Sequence, residues 1–175
     1  MMPLHIIVDG YNLIRNSTAF KELDRQDIQL GREALMEMLA AYKKIKHHKI
    51  TVVFDGTDAA IFSRSHDRVK GITVRFSRAG ETADDLITRM AAHDREKALI
   101  VSSDREITAA ASACLAATIG SAEFEQKLFM AGADDSGRSQ EDNDAGVQPF
   151  STRKKGPRRR APKSRRRNRR RIAKL

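Results

Sequence analysis

Three apolar runs in this chain end on an acid: "IIVDG" at 6–10, "TVVFDG" at 51–56 and "LIVSSD" at 99–104. Runs this dense in β-branched residues read as strands, and strands with no polar alternation must be covered on both faces. These runs, at 4–8, 50–54 and 98–102, are joined by one at 72–76 and a weaker one near 116–119, and all alternate with helical patterns. Leu35, Met38, Leu39, Tyr42 and Ile45 repeat at the spacing of one buried helix face. Ile87, Met90 and Ala91, and Ile107, Ala110, Ala111 and Cys114, do the same over shorter spans. The expected fold is therefore α/β: a mostly parallel sheet with helices on both sides.

Charge divides the chain. Residues 1–131 carry 18 basic and 18 acidic residues, 132–152 carry one and five, and 153–175 carry fourteen and none. The first stretch predicts one neutral domain. The second, with Val147 and Phe150 as its only large apolar groups, predicts a flexible acidic linker. The third predicts a tail that stays disordered until it meets a polyanion. Nine of its ten arginines, Arg158, Arg159, Arg160, Arg165, Arg166, Arg167, Arg169, Arg170 and Arg171, fall in clusters that suit bidentate phosphate contact, and no aromatic accompanies them for base stacking. RNA is the expected partner, with structured ribosomal RNA or a ribosome as candidates. A membrane is not expected, because no amphipathic helix accompanies the charge and no run nears the roughly 18 apolar residues of a span.

Cys114 is the only cysteine, which rules out an internal disulfide and fits a reducing, cytoplasmic setting. No signal peptide is expected, since Asp9 interrupts the first apolar segment and no basic region precedes it. The histidines show no metal-ligand spacing, and the lack of Walker-type or GxGxxG loops argues against a nucleotide cofactor.

In an open α/β sheet, ligands bind beyond the carboxyl ends of the strands. Asp9, Asp55 and Asp104 all fall at that edge. A fourth acid comes from "GETADDLI" at 80–87, where Thr82 and Asp85 have the spacing of a helix-capping box. Asp84 then shares the inward stripe of Ile87 and Ala91 and is the candidate for the site, with Asp85 on the outer side as the cap. Alone, an aspartate at a strand end is more often a helix cap or loop acid than a site residue. Together they need a reason, because two unit charges ~5 Å apart repel by roughly 3 kcal/mol at an effective dielectric of about 20. An oxygen-only donor set suits Mg²⁺ or Mn²⁺, and such a site can stabilise an in-line displacement at phosphorus. Gly10 would let the backbone turn beside Asp9, and Asn12 adds a neutral amide that serves the site or caps a turn. Ser102 and Ser103 either hold a water or begin the next helix.

"IIVDGYNLI", "VVFDG", "GETADDLI" and "LIVSSDREI", in that order over about residues 4–131, resemble the YacP-like NYN-domain ribonucleases, relatives of the PIN-domain nucleases. The resemblance implies a PIN-like three-layer fold, a divalent metal at the acidic edge and hydrolysis of RNA. Carried over by position, it implies Asp9, Asn12, Asp55, Asp84 and Asp104 as the catalytic set, with Asp9, Asp84 and Asp104 on the metal. Asp85 follows the motif acid where many relatives carry an uncharged residue, so the choice between the two neighbours stays open. The expected function is a metal-dependent endoribonuclease anchored by its tail. The alternative is a non-catalytic RNA-binding or ribosome-associated adaptor on the same fold, whose mark would be a missing acid. A small-molecule phosphohydrolase would not need the tail.

Overall fold

The computed structural model describes residues 3–56, 66–137 and 163–175. Six strands form one sheet in the order β3-β4-β2-β1-β5-β6. They are β1 (His5–Asp9), β2 (Lys49–Phe54), β3 (His66–Val69), β4 (Ile72–Phe76), β5 (Ala98–Val101) and β6 (Ala117–Ile119). All neighbouring pairs are parallel except β3 with β4. Seven α-helices accompany them among the described residues: α1 (Gly10–Asn16), α2 (Thr18–Gln26), α3 (Ile28–Lys46), α4 (Ala83–Asp94), α5 (Arg105–Ala113), α6 (Ser121–Gly137) and α7 (Lys163–Ile172).

Alternation along the strands sorts the core into two layers. Ile6, Val8 and Val52 pack with Leu13, Leu35, Leu39 and Phe124 on one face. Ile7, Val53 and Ile100 pack with Leu86, Ile87 and Ile107 on the other. Every residue of β1 is buried, as expected for a central strand covered on both sides. The architecture is the expected three-layer one. None of its described helices is long and apolar enough to cross a membrane.

Three elements differ from the sequence reading. The edge strand β3 reads HDRV, too polar to signal a strand, because it pairs on one side only. The helix α6 continues through Gly137, so residues 132–137 belong to the helix and not to a linker; residues 138–152 lie outside the described residues. The largest difference is at the end. Residues 163–172 form a helix docked on β6, whereas self-repulsion among arginines predicts disorder. Asn168 accepts a hydrogen bond from the Thr118 amide (2.8 Å) and donates one to its carbonyl (2.9 Å), extending the β6 edge as another strand would. Leu175 is only 6% exposed, and its carbonyl accepts from the buried Tyr42 hydroxyl at 3.1 Å. These contacts hold the helix despite its charge. Arg158, Arg159 and Arg160 lie outside the described residues.

Candidate active site

The strand order reverses at β1, with β2 and β4 to one side and β5 and β6 to the other, which is where an open α/β sheet leaves a crevice. Register then sets the heights of the acids. Asp9 is level with Val53, so Asp55 stands two residues beyond it, and Val8 is level with Val101, which brings Ser102 beside Asp9. The resulting cleft has a volume of about 330 Å³, and Asp9, Asn12, Asp55, Asp84 and Asp104 all line it.

Asp9 is the most constrained of them. It ends β1 and caps α1, its Oδ1 accepting from the Asn12 amide (3.2 Å) and its Oδ2 from the Ser102 hydroxyl (3.1 Å). It is 8% exposed, and burial, with smaller contributions from the Asp84 and Asp104 charges, raises its pKa to about 6 against the lowering effect of those two hydrogen bonds. Asp104 caps α5 through the Glu106 amide (2.7 Å). Ser102 links the two acids, since its hydroxyl oxygen also accepts from the Asp104 amide at 3.1 Å. Asp55 accepts from the Ser77 hydroxyl at 3.3 Å, and the same hydroxyl accepts from the Gly56 amide at 2.8 Å. Glycine is required there, because a Cβ on Gly56 would overlap the Ser77 carbonyl oxygen.

Asp84 and Asp85 separate cleanly. Thr82 and Asp85 form a complete capping box, the Asp85 amide donating to the Thr82 hydroxyl oxygen and the Thr82 amide to Asp85 Oδ2, both at 3.1 Å. The Thr82 amide and hydroxyl, both donating to Asp85 Oδ2, hold the Asp85 carboxyl below its usual pKa, whereas burial and the charge of Asp104 hold Asp84 above its own. Asp84 lines the cleft and Asp85 does not appear among its walls. An Asp85→Asn change should therefore lower Tm by on the order of 1–3 °C, equally with and without divalent cation, in paired thermal melts.

Asn12 sits in the first turn of α1. Its side-chain oxygen accepts from the Ser103 amide (2.8 Å) and the Ser121 hydroxyl (2.7 Å), tying α1 to the loop after β5 and to the start of α6. The amide thus positions the cleft walls. Gly10 serves close approach more than turning, since a Cβ there would overlap the Phe54 ring. Glu81 pairs with Arg89.

Sequence reasoning passed over Tyr11, Arg15, Asn16 and Ala83, which complete the cleft. Arg15 is exposed and lies over the Tyr11 ring, 5.5 Å from its centroid. The signal for both was their placement on α1, within one turn of Asn12.

The donor set is all oxygen, and the carboxylates around Asp9 are charged groups that disfavour one another's ionisation, so the residues fit a hard divalent cation such as Mg²⁺ or Mn²⁺. Among the described residues, however, no three His, Cys, Asp or Glu side chains stand close enough together to form a ready-made metal site.

The fold has relatives among known proteins. The profile of the YacP-like NYN domain matches residues 6–160, a longer stretch than the four motifs alone span. The uncharacterized protein YacP of Bacillus subtilis (strain 168) is 28% identical over 86 residues, 49% of this chain, and the chain spans about half the length of that curated relative. Crystal structures of Rae1 (YacP) from Bacillus subtilis and of a single-residue variant superpose with TM-scores of 0.66 and 0.65. They cover 78% and 77% of this chain, and 79% and 80% of their own, at 23% and 22% identity, a likeness of fold.

Proposed function

The chain belongs to the YacP-like NYN domain family, and from that premise we propose that it is a divalent-metal-dependent endoribonuclease working at the acidic cleft. The observation that carries this reading is the convergence of Asp9, Asp55, Asp84 and Asp104 on one crevice at the switch point of the sheet. Asp9, Asp84 and Asp104 would hold Mg²⁺ or Mn²⁺. Such an ion supplies charge that stabilises in-line displacement at phosphorus and acidifies an attacking water. Asp9 is presented rigidly, both oxygens fixed by Asn12 and Ser102. Asp55 adds negative charge that draws a cation into the cleft, and Arg15 offers a guanidinium to a phosphate at the rim. The basic tail anchors the protein to RNA, a ribosome being one such target, and the setting is cytoplasmic.

Purified protein incubated with a long single-stranded RNA should cut it in Mn²⁺ or Mg²⁺ and leave it intact in EDTA. Cutting that persists in EDTA would remove the metal from the proposal, and intact RNA under all conditions would remove the enzyme. One observation favours the adaptor reading instead, namely that no three ligands are preassembled among the described residues. Under that reading RNA binds but stays whole in either cation.

A further inference from the structure

Docking of α7 leaves Arg165, Arg166, Arg169 and Arg170 exposed. Arg167, itself exposed, pairs with Glu96 at 2.8 Å, and the partly buried Arg171 donates to the Leu115 carbonyl at 2.9 Å. Between α7 and the end of α5 these contacts leave a groove of about 420 Å³, walled by Arg165, Arg167 and Arg171 and floored by Ser112, Leu115 and Ala117. It lies at the β6 edge of the sheet, away from the acidic cleft, which straddles β1.

The floor carries a residue that packing does not explain. Leu115 sits just past the end of α5 with φ of 65°, a left-handed conformation costly for any residue with a Cβ and usually filled by glycine at a helix end. Its side chain is nonetheless 48% exposed, so burial returns little for that strain. The walls carry three guanidinium groups, and Glu96 faces two of them, Arg167 at 2.8 Å and Arg171 at 3.9 Å, so the groove keeps a net positive charge. An apolar platform beneath a cluster of arginines matches one nucleotide, with a flat face for apolar contact or guanidinium stacking and a phosphate for charge. The exposed arginines continue the positive surface along a helix of ten residues, about 15 Å, which suits a linear polyanion better than a compact one.

We propose that this groove is a second RNA-contact site, separate from the cleft, which takes one nucleotide of a single strand with its phosphate on Arg165 and Arg167 and its base against Leu115. The inference rests on RNA being the ligand of this chain, not on turnover. Docking matters because it ties Arg167 and Arg171 to the domain, where a loose tail would only add unspecific attraction.

The test uses the full chain in EDTA, with anisotropy of a fluorescently labelled single-stranded RNA measured across a salt series. Leu115→Gly keeps every charge and suits the left-handed backbone, so its Tm should hold or rise while affinity falls about fivefold, as losing roughly 40 Å² of apolar contact with a base would cost. Asn168→Ala also keeps every charge but releases the clip to β6, and it should weaken binding as well. Arg165→Ala combined with Arg167→Ala should lower the slope of log affinity against log salt by about 1.4, from roughly 0.7 per phosphate. If both neutral variants bind as the parent does and only the arginine pair matters, α7 acts as unspecific charge and the groove is not a site. Failure of the parent to bind RNA at all would overturn it too. A parent that binds in EDTA yet never cuts in Mn²⁺ would sink the nuclease reading and leave this site standing.

Discussion

Asp9→Asn should abolish RNA cleavage while leaving the fold intact, and Asp104→Asn should do the same. Asparagine is as good a helix cap as aspartate, so α1 and α5 keep their first-turn hydrogen bonds, and the change in volume is small. What is lost is a negative oxygen at the point where the cleft gathers charge. Removing even an outer-shell partner of a metal site typically costs 10–100-fold in affinity or activity, and loss of a direct ligand should cost at least that. Single-turnover cleavage of a labelled RNA at saturating Mn²⁺ measures it, with circular dichroism as the check on folding. A variant that cuts within a few-fold of the parent would show that Asp9 and Asp104 are caps and nothing more. Asp85→Asn belongs in the same series, because it removes an acid one residue from Asp84 without touching the cleft and should cut normally.

The acids were legible because strand direction places the ends of parallel strands at one edge, so an aspartate after each apolar run already implies neighbours in space. Ser102 was harder to read. Its role as a bridge between Asp9 and Asp104 depends on the register of β1 against β5, which no local pattern encodes. Arg15 and Tyr11 were missed because α1 is seven residues long, and Tyr11, Leu13 and Ile14 span too short a stretch to establish a helical period. The docked tail was misread for a different reason. Fourteen cations dominate any compositional view of residues 153–175, yet the helix is held by Asn168, Ile172 and Leu175, three residues that charge counting ignores. The apolar tip "RIAKL" was the available signal.

The second large effect needs no RNA. Burial first, then the charges of Asp84 and Asp104, raise the Asp9 pKa from 3.8 to about 6, so the folded protein binds a proton across that range which the unfolded chain has released. Stability of the metal-free fold is therefore fully supported below about pH 4 and is lost as pH rises through about 6, by about 2–3 kcal/mol from this one group. Asp9→Asn has no proton to lose. In EDTA its melting curve should lack that step, and near pH 8 it should melt above the parent by on the order of 5–10 °C. Carboxylates held low in the folded state, such as Asp85 and Asp94, pull stability the other way at acid pH. They are common to both proteins and drop out of the difference. Millimolar Mn²⁺ should then invert the order at about pH 8, since a cation bound only by the folded parent stabilises it by mass action and the variant has lost a ligand. Parallel curves for parent and variant from about pH 4 to 8 would mean that Asp9 carries no burial penalty. A pH step without inversion in Mn²⁺ would leave the buried acid in place but take the cation out of the cleft.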